Sequence, residues 1–291
     1  MTSGSLRTLA NPFHGVRAHV EPEGISDRFA ALRLVCPEGV ALSHCSAAAL
    51  LKLPIPRECE HEDLHVTSSG AQLRRPGVVG HRGLESRETM TAQGLPVTGL
   101  AQTWLDLAPF LGLDDLVVLG DDVAKRLGST EPLHALTTRR VPGVTRAREA
   151  LTWIRVGTRS PMETRSRVLF VRAGLPEPEL NVVIHDLDGG WLAEGDFVWR
   201  EAKVLGEYQG KDHFGDYARG DKDIVRRRSA QTDGWAYVDF TKDDYYRRPR
   251  RLELVERLAA AIGVELTPEA LDEVSAHPGL LGPPMRRCGA R

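Results

Sequence analysis

The sequence predicts an α/β protein with two domains, the second of which contains a mixed sheet flanked by helices. At 291 residues, the chain is long enough for two domains of ordinary size. Between residues 180 and 209, three short apolar runs separated by turn residues are typical of an antiparallel meander. A helix start at Ser160 precedes this meander, and a strand at 235–240 and a helix at 251–262 follow it.

The first half, residues 1–125, is predicted to be an α+β domain because short strands and helices are interspersed along it. The predicted strands lie at 40–42, 65–67, 77–81 and 95–98, and the predicted helices at 28–34, 47–51, 100–107 and 113–119. Residues 126–158 are helical in pattern with two interruptions, which predicts a connector. The second domain is then expected at 159–262, followed by a tail at 263–291.

Two acidic side chains and one amide accompany the strands of the meander. Asp196 opens the second strand, and Glu207 and Gln209 stand two residues apart on the third, which places their side chains on one face. Two adjacent buried carboxylates are costly unless a cation or a shared proton compensates their charge. The pattern therefore favours a divalent metal ion held near Asp196 and Glu207.

The same stretch resembles a known nuclease family. The run Gly-Asp-Phe-Val-Trp at 195–199 and the run Gly-Glu-Tyr-Gln-Gly-Lys-Asp-His at 206–213 are similar to the core of the Vsr-like endonuclease domains of the PD-(D/E)XK nuclease superfamily. Flanking pieces at 160–167, 173–178, 226–227 and 234–235 agree in order and spacing. The resemblance covers residues 158–262 and implies a restriction-endonuclease-like core and a metal-dependent DNA endonuclease or nickase.

The resemblance assigns the metal ligands and a further acid. It implies that Asp196 and Glu207 bind Mg²⁺ (or Mn²⁺), with the carbonyl of Tyr208 as a further ligand. It also makes Glu163 the first acidic residue of the site. Glu163 stands third in a helix that begins after Ser160, so it fits a capping box as well, and both roles can coexist.

The sequence departs from the superfamily pattern at Gln209, and the remaining implied site residues follow it in the chain. Gln209 stands where the superfamily usually has lysine, and an amide orients water but carries no positive charge. Lys211 and His213 are candidates for the missing cation or the general acid. Arg226 and Arg227 are candidates for binding the scissile phosphate, since guanidinium groups bind phosphate through paired hydrogen bonds.

The first domain resembles a second family. Residues 40–125 are similar to the C-terminal region of AbiEi-type antitoxin and transcription-regulator proteins in three pieces: Ser-His-Cys-Ser-Ala-Ala-Ala-Leu at 43–50, Arg-Arg-Pro-Gly-Val-Val at 74–79 and Gly-Leu-Pro-Val-Thr at 94–98. This resemblance, together with Gln209, favours an alternative function. In it the chain is a non-catalytic DNA-binding regulator or antitoxin that uses an inactive nuclease fold. A third possibility is an interaction protein with a vestigial acidic pocket.

Charge and composition limit the class of partner. The net charge of −2 excludes a global basic field for nucleic acid, although arginines are dense at 226–228 and 247–251. These runs are either solvated surface or phosphate contacts. The expected partner is nucleic acid, DNA in particular, with a homodimer or a partner protein also possible; no membrane association is expected, because no apolar run approaches the length of a bilayer span.

The cysteines and two nearby histidines lack the spacing of a standard metal site. Cys36, Cys45, Cys59 and Cys288 form no Cys-x-x-Cys pair, which fits a reducing compartment and, with the lack of a leader pattern, a cytoplasmic location. A zinc site from the first three cysteines with His44 and His61 matches no standard spacing, so ordinary buried or surface residues are expected there. For His44 itself, a role in capping the following helix is favoured over a catalytic one.

Overall fold

The chain is divided into two compact units in the computed structural model, which describes residues 9–59, 63–186, 189–210 and 231–276. The first unit ends at Ile154 and the second begins at Arg155. Each is built around its own sheet. The predicted α/β class and the predicted mixed sheet flanked by helices are confirmed.

The first unit contains a six-stranded mixed sheet. Its strands are β1 (Val40–Leu42), β2 (Leu64–Ser68), β3 (Arg74–Arg75), β4 (Val78–Arg82), β5 (Thr89–Ala92) and β6 (Leu95–Thr98). They lie in the order β3-β4-β2-β1-β6-β5. The pairs β1–β6 and β2–β4 are parallel, and the other pairs are antiparallel. Strands β3 and β5 were not predicted; both are short edge strands whose residues are exposed or half-buried, so no buried apolar run marks them in the sequence.

The helices described in this unit are α1 (Gly24–Arg33), α2 (His44–Leu50), α3 (Leu100–Leu107), α4 (Leu113–Leu127), α5 (Glu131–Leu136) and α6 (Val144–Trp153). Apolar side chains of α1 and α2, among them Phe29, Leu32 and Leu50, share a core with Leu42 and Val66 of the sheet. The stretch predicted as a connector contributes α5 and α6, which pack against α3 and α4 within the first unit.

A tryptophan and a glycine hold the helical part of the first unit together. Trp104 of α3 is fully buried and donates from Nε1 to the carbonyl of Leu116 in α4 at 3.0 Å. A Cβ atom on Gly120 of α4 would lie 2.2 Å from the side chain of Ile154, so only glycine permits this approach. The chain after α6 is thereby packed tightly against α4.

The second unit contains a four-stranded sheet in the order β10-β9-β8-β7. Strands β7 (Glu179–His185), β8 (Trp191–Trp199) and β9 (Val204–Gln209) form an antiparallel meander, as predicted, and β10 (Ala236–Thr241) is parallel to β9. The accompanying helices are α7 (Pro161–Arg172), α8 (Lys242–Tyr246), α9 (Arg248–Ile262) and α10 (Pro268–Ala276). The core between helices and sheet contains Phe170 of α7, Phe197, Trp199, Phe240 and Leu258 of α9.

One arginine of the basic run at 247–251 is part of this core. Arg251 is 1% exposed and donates from Nε to the carbonyl of Val274 at 2.7 Å and from an Nη to the carbonyl of Tyr245 at 2.9 Å. It therefore joins α8, α9 and α10. The prediction of a solvated or phosphate-binding side chain is wrong at this position, because the guanidinium satisfies buried helix carbonyls instead.

Across the ranges that the structure describes, no helix combines the length and the apolar character that a membrane span requires.

Candidate functional site

The carboxylate of Asp196 lies against the neighbouring strand of the meander. Strands β8 and β9 are paired from Trp199 and Val204 as far as Phe197 and Gly206. One residue further along β8, Oδ2 of Asp196 accepts a hydrogen bond from the backbone N–H of Tyr208 at 2.9 Å. This bond brings the half-buried carboxylate to the peptide that joins Glu207 to Tyr208.

On β9, the side chains of Glu207 and Gln209 contact each other, as their spacing of two residues predicts. Nε2 of Gln209 donates to Oε2 of Glu207 at 3.3 Å and to Oδ1 of Asp239 at 3.1 Å. Asp239 comes from β10, where the parallel register places it directly across from Glu207. Gln209 therefore joins two carboxylates on adjacent strands.

Glu163 performs the capping role that its position in α7 predicts. Its backbone N–H donates to Oγ of Ser160 at 3.2 Å, and its Oε2 accepts from the backbone N–H of Arg159 at 2.7 Å. The side chain is 6% exposed. The carboxylate is therefore held at the N-terminus of α7, where the positive end of the helix dipole favours a negative charge.

A second bond connects Glu163 to the sheet. Nδ2 of Asn181 donates to Oε2 of Glu163 at 2.7 Å and to the carbonyl of Gly157 at 2.8 Å. Asn181 has a φ of 52°, in the left-handed region that asparagine tolerates better than most residues. The pairs Leu180–Phe197 and Val182–Gly195 bracket it, so Asn181 lies across from Asp196. Glu163 is thus hydrogen-bonded to the residue of β7 that lies across from Asp196 on β8.

The other predicted site residues, Lys211, His213, Arg226 and Arg227, lie outside the described residues. Of the predicted site residues that it describes, the structure joins Glu207 and Gln209, adds Asp239 to them, and places the carboxylate of Asp196 against the backbone of Tyr208.

A second cluster of polar side chains lies in the first unit, on one face of its sheet. His65 and Thr67 of β2 pair with Val79 and His81 of β4, so the two histidines are on the same face. His44, the first residue of α2, lies over them. Within the described ranges, these three histidines form the one group of metal-binding side chain types whose ligand atoms all lie within 4.8 Å of one another.

The imidazole rings of this cluster contact one another directly. Nδ1 of His65 and Nε2 of His81 are 3.2 Å apart. The rings of His44 and His81 are stacked, with centroids 3.6 Å apart and planes inclined by 14°. Nδ1 of His44 lies 3.0 Å from Oγ of Ser43, which has the N-cap position of α2. The capping role expected for His44 therefore belongs to Ser43 by position, and the ring of His44 belongs to the cluster.

Burial keeps two of these imidazoles, those of His44 and His81, neutral. It lowers the pKa of His44 well below its usual value, and the charges of His81, His65 and Arg87 lower it further. Burial, followed by the positive charge of Arg87, lowers the pKa of His81 to about 4. Both rings are thus unprotonated at neutral pH.

Arg87, the cation beside the histidine cluster, forms an ion pair with Asp106. Nε of Arg87 lies 3.1 Å from Oδ1 of Asp106, whose side chain is 4% exposed. Nε2 of Gln102 also donates to Oδ1 of Asp106 at 2.9 Å. The pKa of Asp106 is raised by burial in spite of the opposing effects of Arg87 and Gln102. This ion pair reduces the field that Arg87 exerts on the histidines.

Sequence reasoning did not assign a site role to Asp239, Asn181, His65 or His81. Asp239 and the two histidines stand within predicted strands among apolar residues, and a charged or imidazole side chain in such a position is a weak signal of a site. Among the described residues, Cys36, Cys45 and Cys59 form neither a disulfide nor a metal-binding group. His61, which the sequence also offered for a zinc site with these cysteines, lies outside the described residues.

Two relatives come from Mycobacterium tuberculosis. Each is 27% identical to this chain over 248 residues, which cover 84% of this chain and 89% of the relative. They are Uncharacterized protein MT2308 of strain CDC 1551 / Oshkosh and Uncharacterized protein Rv2248 of strain ATCC 25618 / H37Rv. No protein-family model matches the chain. No solved structure matches it either.

Proposed function

We propose that the second unit is a metal-dependent DNA endonuclease or nickase with a restriction-endonuclease-like core, similar to the Vsr-like domains of the PD-(D/E)XK superfamily. The observation that carries this proposal is the hydrogen bond from the backbone N–H of Tyr208 to Asp196 at 2.9 Å. It brings a carboxylate of β8 to the backbone of β9 at Glu207. Two carboxylates on adjacent strands are the donor set that a phosphodiesterase of this superfamily requires.

The order of elements supports the proposal. Helix α7 precedes the antiparallel strands β7, β8 and β9, and β10 then returns parallel to β9. A parallel return requires a crossover connection of a dozen or more residues, and the chain between β9 and β10 is long enough for one. A mixed sheet with this helix before it agrees with the resemblance found in the sequence.

The donor chemistry fits Mg²⁺ or Mn²⁺ better than a softer metal ion. Asp196 and Glu207 are half-buried and offer carboxylate oxygens, and the carbonyl of Tyr208 adds a third oxygen. Mg²⁺ usually takes one or two carboxylates and keeps several waters, so a third acidic ligand is not needed. When bound, the ion would lower the pKa of a water molecule and compensate charge on the phosphate.

The remaining residues have separate tasks under this proposal. The amide of Gln209 orients a water molecule and separates Glu207 from Asp239. Lys211 or His213 protonates the leaving oxygen. Arg226 and Arg227 bind the scissile phosphate. Glu163 and Asn181 hold the start of α7 against β7, the strand next to the one that carries Asp196.

The test is cleavage of supercoiled plasmid by the full chain with Mg²⁺ or Mn²⁺. Nicked circles or linear DNA are expected with the wild type and are expected to disappear with Asp196→Asn and with Glu207→Gln. Glu201→Gln is the matched control, because Glu201 is exposed in the turn between the same two strands. Cleavage that persists in both site variants, or no cleavage with either metal ion, contradicts the proposal.

A non-catalytic DNA-binding regulator or antitoxin is the second candidate, and one observation favours it. The amide of Gln209 occupies the position expected for a lysine and already donates to both Glu207 and Asp239. The AbiEi-like sequence pieces of the first unit agree with this role. DNA binding that is equal in wild type, Asp196→Asn and Glu207→Gln, without cleavage by any of them, would support the regulator.

A further inference from the structure

The tertiary structure brings three histidines from distant parts of the sequence to one point. His65 is on β2, His81 is on β4, and His44 begins α2. Oγ of Ser46 in α2 accepts from the backbone N–H of His65 at 2.8 Å, and the backbone N–H of Ser43 donates to the carbonyl of His65 at 3.0 Å. The start of α2 is therefore fixed over β2, and the imidazole of His44 faces those of His65 and His81.

One pair of imidazole nitrogens is separated by about the distance that a shared metal ion requires. A tetrahedral ion with metal–nitrogen bonds of about 2.0–2.1 Å holds its ligand nitrogens about 3.4 Å apart. Nδ1 of His65 and Nε2 of His81 are 3.2 Å apart, and one nitrogen of His44 completes a group in which every separation is below 4.8 Å. The three ligand nitrogens are thus close enough to reach one ion after rotation of a side chain.

The electrostatic environment suits a cation with imidazole ligands. His44 is 5% exposed and His65 is 0% exposed, so the site is enclosed on the side of α2. The charge of Arg87, the cation next to the cluster, is balanced by Asp106, so Arg87 opposes a bound cation less than an unpaired arginine would.

We infer that His44, His65 and His81 bind a divalent transition-metal ion of the Zn²⁺ type, through one nitrogen each. Imidazole nitrogens suit Zn²⁺ and related transition metals, whereas Mg²⁺ prefers oxygen, so this site is chemically distinct from the carboxylates of the second unit. Three protein ligands leave the fourth position of a tetrahedral ion for water or a small ligand. His81 is the least buried of the three, so we expect water or a small ligand to reach the fourth position from the side of His81.

The stacking of the His44 and His81 rings must change when a metal ion binds. The rings of His44 and His81 are nearly parallel at 3.6 Å, whereas an ion lies in the plane of each ring that binds it. Rotation of the half-buried ring of His81 about its terminal torsion removes the stacking. If the three rings are instead only a hydrogen-bonded structural cluster, no ion will induce this rotation.

The experiment titrates Zn²⁺ into the full chain after removal of metal by chelation, with calorimetry for affinity and elemental analysis for stoichiometry. We expect one Zn²⁺ per chain in the wild type and a loss of affinity of at least about tenfold in His81→Gln and His65→Asn. His134→Asn is the matched control, because His134 is an exposed histidine of the same unit. Asp196→Asn and Glu207→Gln must also retain full Zn²⁺ binding, which separates this site from the proposed nuclease site.

Two further measurements keep the test decisive if a buried variant unfolds. Bound Zn²⁺ must raise the Tm of the wild type, since a ligand that binds only the folded state stabilises it. Co²⁺ in place of Zn²⁺ must show tetrahedral absorption bands without thiolate charge-transfer bands, which excludes binding at Cys45 or Cys59. Absence of Zn²⁺ binding by the folded wild type overturns the inference, as do thiolate bands or unchanged affinity in a folded His81→Gln variant.

Discussion

Asp239 of β10 lies directly across from Glu207 of β9, in the parallel register that joins these two strands. The amide of Gln209 donates to both carboxylates, at 3.1 and 3.3 Å. Two negative charges on paired strand positions are unfavourable unless hydrogen bonds or a cation compensate them. This relationship extends the proposed metal site to a third strand and leads to two of the predictions below.

Asp239→Asn should weaken the response of the proposed nuclease activity to Mg²⁺. The substitution keeps the shape of the side chain but removes a negative charge next to a proposed ligand. The Mg²⁺ concentration for half-maximal plasmid cleavage should rise about tenfold, as for residues that support metal ligands elsewhere. Glu201→Gln should leave that concentration unchanged. An equal rise in both variants would mean that only the overall charge matters.

Gln209→Lys should raise the cleavage rate. A lysine at this position places an ammonium group between Glu207 and Asp239, where the structure has an amide. Positive charge at the reacting phosphate stabilises the transition state, and we expect an increase of at least about tenfold in single-turnover cleavage. The uncharged variant Gln209→Met should be slower than the wild type. A lysine variant that folds but cleaves no faster would show that the amide is sufficient or that the site is inactive for another reason.

Glu163→Ala should destabilise the second unit. It removes the acceptor for the backbone N–H of Arg159 and for Nδ2 of Asn181, both at 2.7 Å. The free energy of unfolding in urea should fall by about 1–3 kcal/mol. Ser160→Ala, which removes the other half of the cap, should cost about 1 kcal/mol. Glu256→Gln, at an exposed position of α9, is the control and should change little.

Glu163→Gln separates the two roles of this residue. The amide keeps an oxygen that can accept from the start of α7, so stability should stay close to that of the wild type. If cleavage nonetheless falls, the negative charge of Glu163 contributes to the reaction. Full cleavage by a stable Glu163→Gln variant would restrict Glu163 to its structural role.

Arg251→Met should destabilise the second unit far more than Arg250→Ala. Arg251 is buried and donates to carbonyls of α8 and α10, so its loss leaves buried acceptors unsatisfied and should cost about 2–4 kcal/mol of unfolding free energy. The side chain of Arg250 is 52% exposed and lies 4.0 Å from Asp244, and its removal should cost less than about 0.5 kcal/mol. If this run binds phosphate, Arg250→Ala should instead weaken DNA binding and reduce its dependence on salt concentration. Equal loss of stability in both variants would contradict the assignment.

Much of the second unit could be predicted because its signals are local. The meander follows from short apolar runs and turn residues, and the helix start at Ser160 follows from its capping pattern. The contact between Glu207 and Gln209 follows from the two-residue repeat of a strand. These features depend on residues close together in the chain, where backbone geometry alone decides the outcome.

The remaining contacts depend on which strands become neighbours and in which register. Asp239 meets Glu207 because β10 pairs with β9 across a crossover, and a shift of one residue would turn its side chain to the other face. Arg251 carries the same local charge pattern as Arg250, and only the packing of α10 onto α9 made one of them buried. Such differences arise from tertiary packing and leave no periodic signal in the sequence.

The amino-acid sequence by itself determined the α/β class, the meander and the placement of Asp196, Glu207 and Gln209 on its strands. Only the tertiary structure decided that His44, His65 and His81 meet over the first sheet and that Asp239 joins the acidic residues of the second. The reason is physical: local steric preferences and hydrophobic periodicity determine strands and helices, whereas strand pairing and the close packing of buried side chains determine which distant residues touch.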